Sequence, residues 1–260
     1  AIRDSENKKI AKLLRKKSKI MIALGSCSAL GGIPGLGNDA NKQQILDKSY
    51  VPSFSTENPS DINPKSSTSV QEGELTLPIL EDNVRALDQV VEVDYYLPGC
   101  PTNPDLIFKA VEAIKEGELP PRGTNLAILS NKKTVCDECE RELAKEKSVK
   151  EFKRMPFAED NGEDCLLEQG IVCMGPATQA GCDARCIKAN FPCRGCFGPP
   201  AGVIDQGAKM VSLLGSIIDS EDEDEIRDII EGITDPLGTF YSYSLPKSLL
   251  KRRKIDENRD

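Results

Sequence analysis

Residues 19–27 read KIMIALGSC. Apolar side chains run unbroken from Ile20 to Leu24, as in a strand buried on both faces of a parallel sheet. The run stops at Gly25-Ser26-Cys27, which places Cys27 on a loop at the strand's carboxyl end. Residues 90–97, VVEVDYYL, repeat the arrangement and stop at Pro98-Gly99-Cys100. Beyond them Asn103 reads as a helix N-cap and Pro104 as the first helical residue. Leu106, Ile107, Ala110, Val111 and Ile114 then fall on one helix face. Upstream, residues 5–18 read as a basic helix with Ile10, Leu13 and Leu14 as its apolar face, and as the first element of the chain. Residues 126–129 suggest one more short strand. Helices alternating with apolar strands predict an α/β fold with a parallel sheet. Ligands of such sheets bind beyond the carboxyl ends of the strands. Cys27 and Cys100 are therefore expected to be neighbours, despite the 72 residues between them.

Residues 31–37, GGIPGLG, have neither the Lys-Ser/Thr of a phosphate-binding loop nor the spacing of a dinucleotide fingerprint. They read as a tight loop that lets backbone approach a cluster or a partner. Residues 41–73, rich in Ser, Asn, Pro and Gln, read as a long surface insertion. From residue 131 the composition turns to Cys, Gly and Pro and regular periodicity ends. Residues 203–218 resume as a helix, residues 219–225 are an acidic run before another helix, and residues 247–254 form a basic tail. Three segments follow: an α/β domain over 1–130, a loop-rich segment over 131–202, and a helical region with a docking tail over 203–260. A doubly wound domain normally begins with a strand, so a first strand carrying further ligands is expected to be missing from the chain.

The 260 residues contain ten Cys and no His, which removes imidazole chemistry and every Cys/His zinc site. The net charge of −8 argues against a nucleic-acid binder. No apolar run approaches the ~18 residues of a membrane span. No signal-peptide pattern is present, so a cytoplasmic protein is expected. The cysteines are Cys27, Cys100, Cys136, Cys139, Cys165, Cys173, Cys182, Cys186, Cys193 and Cys196. Disulfide frameworks suit small secreted domains. In a reducing compartment clustered Cys bind metal, and an all-Cys set selects zinc or iron–sulfur. The eight Cys from 136 to 196 divide into two four-thiolate sites. The two Cys-x2-Cys knuckles, at 136/139 and 193/196, stand 53 residues apart, against about 15–20 in a zinc ribbon. Irregularly spaced Cys lie between them. This spacing favours iron–sulfur cubanes wrapped by loops, with a structural zinc protein as the rival. Gly175, Gly195 and Gly198 would allow close backbone approach to sulfur. Arg185, Arg194, Glu140 and Glu163 read as surface charges.

The stretches GSCSALGGIPGL (25–36), LPGCP (97–101), CDECERE (136–142), CLLEQGIVCMGPAT (165–178), CDARC (182–186), PCRGCFGP (192–199) and DPLGTFYSYSLP (235–246) resemble the small, electron-transferring subunit of nickel–iron hydrogenases. The likeness extends along nearly the whole chain. It is strongest to the archaeal methyl-viologen-reducing, deazaflavin-non-reducing branch associated with heterodisulfide reductase. The resemblance implies a flavodoxin-like doubly wound parallel sheet, here without its first strand, followed by an iron–sulfur domain. It implies a distal 4Fe-4S cluster on Cys136, Cys139, Cys165 and Cys173, and a medial one on Cys182, Cys186, Cys193 and Cys196. A proximal cluster would be half-ligated by Cys27 and Cys100, because the family's N-terminal Cys-x2-Cys is absent. Many relatives carry His at the position of Cys136. By analogy with Rieske centres, where His raises the potential, an all-Cys distal cluster would sit lower. Cys186 adds a fourth ligand where standard relatives hold a three-iron cluster. The implied role is electron transfer from H2 oxidation on a separate nickel–iron large subunit. The implied acceptors are a ferredoxin-like delta subunit and heterodisulfide reductase. The chain itself shows no acid–base or nucleophilic constellation. A related oxidoreductase subunit that has lost its hydrogenase partner is the alternative within the resemblance.

Overall fold

The computed structural model describes residues 1–126, 134–144 and 148–251. The chain begins with a short strand, β1 (Ile2–Asp4), so the basic helix is not its first element. β1 buries Ile2 and pairs antiparallel with β5 (Leu80–Arg85), a partner too distant in sequence for local periodicity to report. Asp4 then caps helix α1 (Ser5–Lys17), its carboxylate accepting the Asn7 N–H at 2.7 Å. Glu6 in the first turn and Arg15, Lys16 and Lys17 in the last suit the helix dipole. The expected apolar face is on the surface: Ile10, Leu13 and Leu14 are exposed, and Ala11 is the buried residue. Side-chain charge holds the helix instead, through Lys8 to Glu81 and Arg15 to Asp94.

The two apolar runs form β2 (Ile22–Leu24) and β6 (Tyr95–Leu97), paired in parallel with Ile22 opposite Tyr95. Both are shorter than the runs that predict them. A turn over Leu87–Gln89 reaches into the second run, because the Val90 and Val91 N–H groups donate to the Leu87 carbonyl. Asp94 then ends the pairing: its carboxylate takes the Met21 N–H at 2.7 Å. The backbone at Thr124 and Leu126 bonds to Tyr96 as a parallel neighbour. The rest of the strand expected over 126–129 lies outside the described residues. Among the described residues there are three two-stranded sheets, and β2–β6 is the parallel one.

At the carboxyl end of β2 the chain turns at once into α2 (Ser26–Leu30), so Cys27 lies in a first helical turn rather than on a loop. The stretch over 41–73 is exposed, as expected, but carries structure of its own. Asn41 and Gln44 cap α3 (Lys42–Tyr50) reciprocally, with side-chain bonds of 2.8 and 2.9 Å. β3 (Ser67–Val70) and β4 (Gly73–Thr76) form a hairpin. α4 (Pro104–Glu116) starts at the Asn103 cap and buries Leu106 and Ala110, while Val111 is exposed. α5 (Arg185–Lys188) is one turn long. Asp205 caps α6 (Gln206–Gly215). The acidic run proves to be the start of α7 (Glu223–Glu231), with Asp222 as cap and three acids in the first turn. α8 (Pro236–Phe240) follows.

One apolar cluster runs from Val135 to Leu245, taking in Leu166, Leu167, Ile171, Met174 and Met210 together with Cys173 and Cys193. It joins side chains of the Cys-rich segment to those of the C-terminal helices. Phe197, from the Cys-rich segment, instead packs with Leu97, Leu106 and Ala110 of the α/β layer. No described helix is long and apolar enough to cross a membrane.

Asp94 is the electrostatic anchor of the α/β layer. Its side chain is 1 % exposed and meets Arg15 at 2.6 Å and Arg122 at 3.2 Å. The Arg15 hydrogen bond, aided by the Met21 N–H and by Arg122, holds its carboxyl below the usual carboxylate range against the opposing effect of burial. The unfolded chain then binds more protons than the folded one as the carboxyl titrates, so stability rises with pH. Asp94→Asn should cost about 1–3 kcal/mol at neutral pH. The contribution of Asp94 is complete above about pH 4, the unfolded carboxylate value, and fades as pH falls through the folded pKa. Chemical denaturation at pH 7 and pH 3 should show a smaller gap between variant and wild type at the lower pH.

Candidate metal centre

No disulfide joins the described cysteines. Cys136 lies in a tight turn, Val135–Glu138, and Cys139 closes it by donating its N–H to the Cys136 carbonyl. The Asp137 carboxylate accepts the Thr134 N–H at 2.6 Å and fixes the turn. Cys165 donates its N–H to the Glu142 carbonyl at 2.8 Å. Cys173 is buried beside Gly175, where a Cβ would stand 3.1 Å from the Cys136 sulfur and 3.6 Å from that of Cys173. Cys136, Cys139, Cys165 and Cys173 line one pocket with Leu143, Leu166, Leu167, Pro176 and Ile187 as its apolar wall. The pocket encloses about 370 Å³ of space free of protein atoms, part of it open to solvent. Among the described residues, no three Cys, Asp or Glu side chains converge tightly enough for a single metal ion. The four thiols thus line one pocket rather than converging on a point.

The second set gathers about the knuckle Cys193/Cys196. The sulfur of Cys196 feels those of Cys182, Cys186 and Cys100, and the sulfur of Cys193 feels first that of Cys173 and then that of Cys196. Asp183 and Ala184, at φ 59° and 46°, turn the chain so that the Ala184 and Arg185 N–H groups face the Cys182 sulfur. Glu138 holds this turn through the Gly181 and Asp183 N–H groups at 2.7 and 2.9 Å. The Gly195 N–H faces Cys193, while the nearby Thr178 hydroxyl donates to the Met174 carbonyl at 2.6 Å. Gly195 adopts φ +88° under Gln206, whose Nε2 donates to the Gly195 carbonyl at 3.1 Å and contacts Thr178 Oγ1 at 3.2 Å. Such N–H groups stabilise thiolate and would tune a bound cluster.

Cys27 and Cys100 are both exposed, on segments that bond to each other. Ser26 N–H donates to the Gly99 carbonyl at 3.0 Å, and Gly99 N–H to Ser26 Oγ at 3.1 Å. Ser26 Oγ donates in turn to the Cys196 carbonyl at 2.5 Å. The glycine-rich loop comes close to one thiol: a Cβ at Gly32, φ +60°, would stand 2.7 Å from the Cys27 sulfur. Two contacts link the three sets. Ser26 Oγ joins the strand ends to the Cys196 carbonyl, and Cys193 N–H donates to the Cys173 sulfur at 3.4 Å. The Tyr243 hydroxyl adds a bond to Cys100, and its own pKa is pushed up to about 12, first by burial and then by the thiols beside it.

Residues 1–114 match the family described as NADH ubiquinone oxidoreductase, 20 Kd subunit. The chain is 41% identical over 256 residues to the iron–sulfur subunit of the F420-non-reducing hydrogenase of Archaeoglobus profundus, covering 97% of this chain and 78% of that one. It is 38% identical over 254 residues to the corresponding subunit of the F420-non-reducing hydrogenase of Methanothermobacter thermautotrophicus, covering 95% and 76%. The chain belongs to this family of F420-non-reducing hydrogenase subunits. The likeness continues at 25% identity over 185 residues to the delta subunit of sulfhydrogenase 2 of Pyrococcus furiosus, covering 71% and 57%. Members of the family are parts of a hydrogenase, and the many cysteines of this one accord with iron–sulfur clusters.

Some groups at the site of this hydrogenase subunit are not marked by residue type, although Ser26, Thr178 and Arg141 lie within the stretches 25–36, 165–178 and 136–142 that carry the resemblance. Ser26, Thr178 and Gln206 look like ordinary polar residues, and only their burial marks them. Arg141 stands two residues beyond a knuckle but reads in sequence like any surface arginine; in the structure it lines the four-Cys pocket. Its bonds hold the Asp160 carboxyl down to about 2. Arg185 and Glu140 keep their expected surface roles, pairing with Asp105 at 3.5 Å and Lys188 at 3.2 Å.

Burial pushes the thiol of Cys173 up to about 11 and that of Cys196 up to about 12, and Cys193 higher still. In the folded, reduced, metal-free chain these thiols stay protonated near neutral pH, and the thiolate is the nucleophile. Iodoacetamide at pH 8 should label exposed Cys27, Cys100 and Cys186 first, and buried Cys173 and Cys193 last, as read by peptide mass mapping.

Proposed function

We propose that this chain is the electron-transfer subunit of a nickel–iron hydrogenase complex. Its cysteines would hold a distal 4Fe-4S cluster on Cys136, Cys139, Cys165 and Cys173, and a medial one on Cys182, Cys186, Cys193 and Cys196. Cys27 and Cys100 supply half of a proximal site. The carrying observation is that one Cys-x2-Cys knuckle touches both neighbouring sets: Ser26 Oγ, beside Cys27, donates to the Cys196 carbonyl, and Cys193 N–H donates to the Cys173 sulfur. When bound, the clusters accept and release single electrons. The chain's own part is to supply thiolates, to aim N–H groups at sulfur from Gly195, Ala184 and Gly175, and to exclude water with Leu166, Leu167 and Ile187.

On this reading residues 1–130 are a partial flavodoxin-like domain bordering the proximal site, 131–202 the iron–sulfur domain, and 203–260 a helical region with a docking tail. Electrons enter from a large subunit that oxidises H2 and leave toward a ferredoxin-like delta subunit and heterodisulfide reductase, in the cytoplasm. The names of the relatives and the four-Cys pocket support this; the chain's role is electron transfer, with the nickel–iron chemistry on another chain.

The complex, purified anaerobically, should contain about eight iron atoms for the two complete Cys sets, and about twelve where a further segment completes the Cys27/Cys100 site. Its visible absorption should bleach with dithionite, and it should reduce methyl viologen with H2. Cys136→Ala and Cys182→Ala should each remove about four iron atoms. A colourless complex with zinc on these thiols would overturn the proposal; clusters without hydrogen-dependent activity would point to an oxidoreductase without a hydrogenase partner.

A further inference from the structure

The Arg141 side chain is 6 % exposed and that of its partner Asp160 is 11 % exposed. The pair is bidentate, with Nη1 to Oδ1 and Nη2 to Oδ2 both at 2.7 Å. Nη1 also donates to the Asp164 carbonyl at 2.9 Å, and Nη2 to Asn190 Oδ1 at 3.2 Å. Asp160 is fixed from its other side by the Gly162 N–H at 3.0 Å and by Gln169 Nε2 at 3.2 Å. The guanidinium is therefore clamped in one orientation.

Clamping has a direction. Arg141 lines the pocket of Cys136, Cys139, Cys165 and Cys173, whereas Asp160 does not. The sulfurs of Cys139 and Cys173 act on the guanidinium. Arg141 is thus the member of the pair that borders the thiols, through its side-chain stem, and it also lines a neighbouring polar pocket with Glu140, Glu142 and Glu163. Folding gives little reason for this placement, since apolar side chains of similar volume often replace a buried ion pair without loss. A fixed positive charge in a weakly polar site does have an electrical effect: it favours whichever state of its neighbour is more negative. For an iron–sulfur cluster that is the reduced state.

Resting on the reading that these four Cys hold a cluster, we propose that Arg141 is a positioning residue that sets the distal cluster's reduction potential upward. Asp160 holds it in place and offsets part of its charge. This counteracts the lower potential expected of an all-Cys site.

The test is a potentiometric titration of the assembled complex, with the distal signal followed by EPR and iron counted in every sample. Arg141→Gln should weaken reduction about tenfold, a fall of about 59 mV for a one-electron couple. Asp160→Asn leaves the cation uncompensated and should shift the potential the opposite way. Arg141→Lys keeps the charge and should restore much of the wild-type value. Shifts of opposite sign for Arg141→Gln and Asp160→Asn support the inference; unmoved potentials, or shifts of the same sign, overturn it. Should Arg141→Gln fail to assemble, the sign of the Asp160→Asn shift alone decides. A wild-type signal that survives Cys136→Ala with full iron would instead defeat the ligand assignment, which separates the two failures.

Discussion

Much of this molecule hangs on one buried hydroxyl. Ser26 is 1 % exposed, accepts the Gly99 N–H and donates to the Cys196 carbonyl. It stands beside Cys27 in the chain, the group it accepts from stands beside Cys100, and the group it donates to is Cys196 itself. A single side chain therefore ties two strand ends of the α/β layer to the Cys-rich segment. Phe197 extends the tie by packing on Leu97 and Leu106. Cys27 and Cys100 stay exposed, and the Ser26 hydroxyl joins the segments that carry them to the Cys196 backbone.

The Cys-rich segment has little regular structure, and its core includes the sulfurs. Cys173 and Cys193 are buried with Leu166, Leu167 and Met174 in one apolar cluster. Without metal they behave as small apolar side chains, protonated by burial. Ligation would require them as thiolates, so loading would couple to proton release. The N–H groups held toward sulfur by Gly195 and by the turn at Asp183 and Ala184 favour the charged form.

How much of this is legible in sequence divides along physical lines. The apolar runs before Cys27 and Cys100 announce the parallel pair, because a two-sided buried strand leaves a continuous mark. The Asn103-Pro104 start of α4 is legible because capping chemistry is local. The four-Cys grouping of the first pocket is legible from the resemblance, and the pocket collects those four thiols. What stays hidden is long-range or charge-based. β1 owes its existence to β5, at the far side of the surface insertion. The apolar residues of α1 promise a buried face, yet Leu13 and Leu14 are exposed, since ion pairs dock that helix. Arg141 and Asp160 gain meaning only once folding brings them together beside sulfur.

Gln206 carries a further consequence. It fills the space that a side chain at position 195 would need: a Cβ there would stand 3.0 Å from its amide nitrogen. The amide also holds the Gly195 carbonyl and the Thr178 hydroxyl. Positions 178, 195 and 206 are thus joined through one amide, so the start of helix α6 and the Cys193/Cys196 knuckle are set against each other by a single side chain.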